Sequence, residues 1–302
     1  NNNEVFPVCM KSNINLIGEG EEETLLDAEA TNSVIYFNEI KNCKIQLLTI
    51  KNGIGLSINN VRRGGGIYSK LSNPILNNVT IDSCLANVGG AIHLEHSNMV
   101  LNNVDIVNNS IYTNGSGAGM NLEFSNPILN NVNIDNNQTL LGSGGGMYFM
   151  FGSNPIMNDV KISRNSAKYG GGLFAYNAPV LNNVIICNNS ASELGGGIYA
   201  RGNPIMTNVT VTENTAGVNG GGLDIASFIP GLHPIILNSI FWNNYPNSIF
   251  YHINYNTIPN ISFSNIEGGW EGNGNLNIDP LFIPSEDLDF NLDVNSPCID
   301  SG

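Results

Sequence analysis

The chain has 302 residues, 41% hydrophobic, 12% charged and 8% aromatic, with a net charge of −14. That acidity excludes a sequence-independent hold on nucleic acid or on an anionic membrane surface. The longest apolar runs, such as Pro234–Leu237, are far too short for membrane insertion. Charged residues stand at about half their usual share, and 34 glycines and 53 asparagines take their place. No basic start followed by an apolar stretch marks a signal peptide, and Ile, Leu and Val recur too regularly for a disordered chain.

Residues 1–63 read as N-terminal coils and a cap, with Glu19, Glu21, Glu22 and Glu23 as an acidic cluster suited to shielding a sheet edge. From residue 64 a unit of the form GGGIY, three or four residues, NPILNNVTI, N-x-A repeats through residue 229. Clear copies begin at Gly64, Gly144, Gly170 and Gly195, and looser ones at Gly89, Gly117 and Gly220, the last running into a longer loop through His233. Aligned on Val79, Val104, Val132, Val160, Val184 and Val209, the unit recurs every 24 to 28 residues. A period of that length without 3.6-residue periodicity is not a helical repeat, and it is too short for a four-stranded propeller blade. Residues 230–302 close the chain, and the alternation from Glu286 to Asp293 predicts a half-buried strand.

Within each unit two stretches alternate as strands do. Ile67, Ile92, Met120, Met147, Leu173, Ile198 and Leu223 form one column, all apolar, which faces a core. Three successive glycines suit a tight bend with close approach between coils. Asn78, Asn103, Asn131, Asn183 and Asn208 fall in register, with Asp159 in their place once, and asparagine tolerates the left-handed conformation while stacking amides from coil to coil. These features predict an all-β, single-stranded, right-handed parallel β-helix of nine to eleven coils, treated as one domain over 1–302.

The GGGIY…NPILNNVTI…N-x-A unit resembles bacterial right-handed parallel β-helix repeat proteins of the pectate-lyase-like superfold, and is similar to the GGAI-type repeats of chlamydial polymorphic membrane proteins. INLIGEGEEETLLDAE at 14–29 resembles their first coil, and LLTIKNG at 47–53 the coil before the first triple glycine. SNIEGGWEGNGNLNIDPLF at 264–282 and SPCIDSG at 296–302 look like their C-terminal signature, which an anchoring or sorting domain normally follows. The resemblance covers the whole chain. It implies an extracellular or cell-surface location, and it does not specify an activity, since fold does not fix function.

No HExxH, GxSxG, Walker or dinucleotide motif is present, and the aspartate clusters of glycoside hydrolases of this fold are missing too. The candidate surface is therefore the pair of outward columns of the GGGIY strand: Tyr68, His93, Asn121, Tyr148, Phe174, Tyr199 and Asp224, then Lys70, Glu95, Glu123, Met150, Tyr176, Arg201 and Ala226. Stacked about 4.8 Å apart, they predict a strip of aromatic faces and hydrogen-bonding groups suited to a glycan along the rod. Glu95 and Glu123, on neighbouring coils with His93 beside them, are the catalytic candidates. Their alternatives are a shared Ca2+ and a simple solvated face. Arg62, Arg63, Lys161, Arg164 and Lys168 read as solvated charges that an anionic sugar could also meet, and His96, His233 and His252 as surface or loop residues.

Cys9, Cys43, Cys84, Cys187 and Cys298 show no metal-ligand spacing and read as scattered thiols. Three functions remain: a secreted or surface-displayed non-catalytic adhesin or carbohydrate binder, a polysaccharide lyase or glycoside hydrolase, and a self-assembling structural rod. The first is the expectation carried forward, with a polysaccharide or cell-surface glycan as partner and no cofactor beyond Ca2+.

Overall fold

The computed structural model describes residues 5–150, 152–226, 233–252 and 257–299. Among these there is no helix, and every coil adds one strand to each of two long parallel sheets. The ten-stranded sheet is built from the GGGIY strands, from Val8–Cys9 through Ile67–Lys70, Ile92–Glu95 and Met120–Glu123 to Ile249–Tyr251. The second sheet holds the eight-residue strands such as Ile75–Asp82, Val100–Val107, Ile128–Asp135 and Ile156–Ser163. Short strands, Leu85–Ala86 and Ser110–Ile111, then Ser166–Tyr169, Ser190–Leu194 and Thr215–Ala216, form the third side. This is the expected right-handed parallel β-helix, about ten turns long. The last residues of the SPCIDSG segment and residues 227–232 of the loop after the Gly220 copy lie outside the described residues.

The registers follow the repeat. Ile92 pairs with Ile67 and Met120, and Val104 pairs with Val79 and Val132. The inward columns, including Leu76, Val79, Ile81 and Ile92, are fully buried. The first glycine of each triplet has positive φ (64° at Gly89, 66° at Gly144), and the second meets the next coil's backbone: a methyl on Gly145 would lie 2.4 Å from the Gly171 carbonyl oxygen.

Several asparagine ladders run along the rod. Asn78, Asn103 and Asn131 adopt φ of 51°, 53° and 51°, and Asn103 Nδ2 donates to Asn78 Oδ1 at 2.9 Å. A second ladder, Asn77, Asn102, Asn130, Asn158 and Asn182, is half-buried on the outer face of the long-strand sheet. The third, Asn109, Asn137, Asn165, Asn189, Asn214 and Asn244, is buried inside the coil and takes up orphan backbone groups of the turn.

The C-terminal segment departs from expectation. Residues 286–293 form no strand but a turn closed by an antiparallel bridge between Phe282 and Leu292. The alternation there serves a Phe282–Phe290 ring contact at 5.3 Å instead of a sheet. All five cysteines are free thiols.

Candidate functional site

The predicted strip exists in register, but most of it is not a surface. Tyr68, His93, Asn121, Phe174, Tyr199 and Asp224 are buried, with exposures of 5% or less, and Tyr148 is half-buried. The cause is the triple-glycine bend, which folds the preceding segment back over the first outward side chain of its strand. A methyl on Gly89 would lie 2.8 Å from His93 Cβ. The expectation of open aromatic faces is therefore corrected for this column. The second column, with Lys70, Glu95, Glu123, Met150, Tyr176 and Arg201, is half-buried along its edge.

At one end the strip is a closed polar network. An antiparallel hairpin, Leu56–Ile58 with Val61–Arg63, turns through Asn59 and Asn60 at φ 51° and 64° and brings Arg63 over the sheet. Arg63 Nη1 donates to His93 Nε2 at 3.2 Å, and His93 Nδ1–H donates to Asn121 Oδ1 at 3.1 Å, which holds the imidazole neutral. Burial, reinforced by the Arg63 charge, pushes the His93 pKa down to about 3. Tyr68 Oη donates to Glu95 Oε2 at 2.6 Å and Lys70 Nζ to Glu95 Oε1 at 2.7 Å. Burial acts to raise the Glu95 carboxyl, but these two hydrogen bonds outweigh it and hold it low. Glu123, in register with Glu95, is pushed up by burial against the opposing pull of Arg63, whose Nη1 is 3.8 Å away. Arg63, read from sequence as solvated, is the member that the repeat pattern did not place.

At the other end Phe174, Tyr199 and Ala226 form a small apolar cluster with Tyr148, Tyr169, Tyr176 and Leu194 packed against it. The Arg201 guanidinium lies 5.8, 5.2 and 5.5 Å from the Phe174, Tyr176 and Tyr199 ring centres, a cation–π arrangement. This packing is structural, so Tyr199→Ala is expected to cost about 3 kcal/mol of stability, measurable by urea unfolding. An unchanged unfolding midpoint would contradict it. Asp224, beyond Tyr199 in the column, is fully buried with Oδ1 3.2 Å from His252 Nε2 and Oδ2 without a partner.

Among the described residues no three His, Cys, Asp or Glu side chains converge as a metal cage. The two candidate carboxylates face cations of the chain itself: Glu95 is bonded to Lys70, and Glu123 faces Arg63.

An open site lies elsewhere, on the outer face of the long-strand sheet. A groove of about 640 Å³ crosses the coils of Asn103, Asn131, Asp159 and Asn183. Its floor also carries the next outward column, Asp105, Asn133, Lys161 and Ile185, held in register by strand pairing. Asn133 Nδ2 donates to Asp105 Oδ1 at 3.1 Å, while Asn133 Oδ1 has no partner. One wall is the N-terminal loop, fixed where Thr80 Oγ1 donates to Glu21. The other is the C-terminal turn, held by Lys161, which donates to the Asp287 carbonyl and lies 3.5 Å from Asp289. Periodicity gave no signal for this groove, because its walls come from opposite ends of the chain.

The family model described as the right handed beta helix region matches residues 65–228. A search of curated proteins returns no match. Among solved structures, the A-module of the mannuronan C-5 epimerase AlgE6 of Azotobacter vinelandii is similar over 85% of this chain and 84% of that chain, at 14% identity and a TM-score of 0.42.

Proposed function

We propose, from the premise that this chain belongs to the right-handed β-helix family, that it is a secreted or surface-displayed protein which binds a neutral polysaccharide without cleaving it. The observation that carries this reading is the open groove over Asn103, Asn131, Asp105 and Asn133, walled by the Glu21 loop and the 286–289 turn. Stacked amides and carboxylates at the coil spacing offer a repeating set of donors and acceptors to the hydroxyls of an extended chain. The resemblance of the repeats to surface-anchored proteins supports the location.

Charge sets the ligand class. Glu21, Asp105, Asp159, Glu286, Asp287 and Asp289 line the groove against only Lys161 and Arg164. Both cations are already engaged, Lys161 with Asp289 and Arg164 with Asp135 through two bonds of 2.8 Å. The surplus of carboxylates repels a uronate polymer and leaves a neutral one unaffected.

The test is retention of the intact chain on neutral and uronate polysaccharides, with and without Ca2+, while following new reducing ends and unsaturated products. One neutral polymer should be retained without release of products, and Asn133→Leu should weaken that binding about tenfold, the scale of one lost polar contact. Binding to polygalacturonate, or equal binding by Asn133→Leu, would overturn the reading.

One observation favours a second reading, hydrolysis by the Glu95–Glu123 pair. Their environments push the two carboxyls in opposite directions, as an acid and its ionised partner require. That reading demands product release from some polymer and its loss in Glu123→Gln.

A further inference from the structure

The second site lies at the C-terminal end of the rod. After Ile249–Tyr251 no described residue adds to the ten-stranded sheet; Asn265–Ile266 still pairs with Ile240–Phe241, and residues 267–270 then turn across the last coil. The gap between them is a cavity of about 510 Å³. Tyr245 and Trp270 both line it. The Tyr245 main chain is clamped, with its N–H on the Asn214 carbonyl at 2.9 Å and its carbonyl on the Ala216 N–H at 2.8 Å, yet the residue is 71% exposed. Trp270 is held from one side by an edge contact with Tyr251 at 5.6 Å. Trp270 packs against the core end while the Tyr245 side chain stands open on a clamped main chain, so two aromatic rings face one cavity from differently held positions.

The same cavity is lined by one oriented donor and one oriented acceptor. Asn247 Oδ1 accepts from the Gly220 N–H at 2.7 Å, which fixes the amide and leaves its Nδ2 without a partner among the described residues. Glu267 Oε2 accepts from Ser248 Oγ at 3.2 Å, and its Oε1 takes no hydrogen bond from the described residues. Gly268, at φ 90°, leaves open space where a side chain would stand. Aromatic rings lining one cavity with a fixed amide donor and a fixed carboxylate acceptor suit a pyranose, whose C–H face is apolar and whose equatorial hydroxyls both donate and accept.

We infer that this end cavity binds one neutral pyranose unit, with Tyr245 and Trp270 against its ring and Glu267 and Asn247 on its hydroxyls. The site shares no lining residue with the groove on the long-strand sheet. Its test is therefore independent of polysaccharide retention there.

The chain has two tryptophans, Trp242 and Trp270, so its intrinsic emission reports on this cavity. The intact protein is titrated with the methyl glycosides of glucose, galactose, mannose and N-acetylglucosamine to about 50 mM, a range that covers millimolar affinity. One of them is expected to give a saturable change in emission. Trp270→Phe should abolish that change, and Tyr245→Ala and Glu267→Gln should each weaken binding at least fivefold. Tyr245→Ala, at an exposed side chain, should keep the parent's unfolding midpoint, which separates lost binding from lost folding. No saturable change with any of the four sugars, or the same change in Trp270→Phe, would overturn the inference. Asn133→Leu should leave this titration unaltered even if it abolishes retention on a polysaccharide.

Discussion

Asn165→Ala is expected to lower the unfolding free energy by about 4 kcal/mol, through the loss of four hydrogen bonds between buried groups at roughly 1 kcal/mol each. Asn165 sits in the middle of the interior ladder and is fully buried. Its Nδ2 donates to the Ile134 carbonyl at 2.9 Å and to Asn189 Oδ1 at 3.0 Å, and its Oδ1 accepts from Asn137 N at 2.9 Å and Asn137 Nδ2 at 3.0 Å. Alanine satisfies none of these, and no water reaches a side chain enclosed between coils. The control is Asn136→Ala, next to Asn137 in the corresponding turn of the preceding coil but in an exposed ladder, where Asn136 Nδ2 donates to Asn108 Oδ1 at 2.8 Å. There water replaces the amide, and the residual cost is the left-handed backbone at φ 53°, about 1 kcal/mol for a residue with a Cβ. Urea unfolding of the two variants decides the matter. Equal losses would mean that burial of the ladder is not what stabilises the turn.

That contrast also marks how far the sequence could be read. The left-handed Asn78, Asn103 and Asn131 ladder was legible, because one residue type recurred in register at a place where the chain must bend. The number of coils and the inward columns were legible for the same reason: period-two alternation assigns every residue a side of its own strand. What alternation does not say is what lies beyond that side. Tyr68 and Tyr199 do point away from the coil interior, yet a bend of three glycines carries neighbouring chain over them, and they end at 1% and 4% exposure.

Sites built across long sequence distances were illegible on the same ground. Arg63 reaches His93 through a hairpin that precedes the first clear repeat. Glu21 and Asp287 face one groove from opposite ends of the chain, and only folding brings them together. The polar and apolar alternation after Glu286 was real, but a turn satisfies it by pairing Phe282 with Phe290, as a strand would have done by packing on a core. A repeat thus discloses its own architecture and conceals whatever its atypical ends are folded against.

Asp224→Asn should stabilise the protein at about pH 8 and leave it nearly unchanged at about pH 4, the difference being on the order of 4 kcal/mol. Asp224 has no exposed surface, and burial pushes its carboxyl from 3.8 up to about 7. The charged groups and rings that face it are few: Tyr199 and Phe250 in the same column, and His252 Nε2 at 3.2 Å. Its Oδ2 has no partner to stabilise an anion. Between 3.8 and about 7 the folded carboxyl keeps a proton that the unfolded one has released. The folded state therefore binds more protons across that window, and stability falls as pH rises through it, then levels off above it. His252 works the other way, because burial lowers its pKa and acidification charges the unfolded imidazole first. Subtracting the Asp224→Asn profile from that of the parent cancels the exposed acids to first order and leaves Asp224 with its contact to His252. A difference that grows from about pH 4 to about pH 8 is the expected result, and parallel profiles would show that Asp224 titrates as an ordinary carboxyl. Its place in the column explains why so costly a group is tolerated. It lies in register between Tyr199 and Phe250, and below neutrality it is a neutral acid in contact with His252, so the cost falls only where the carboxyl ionises.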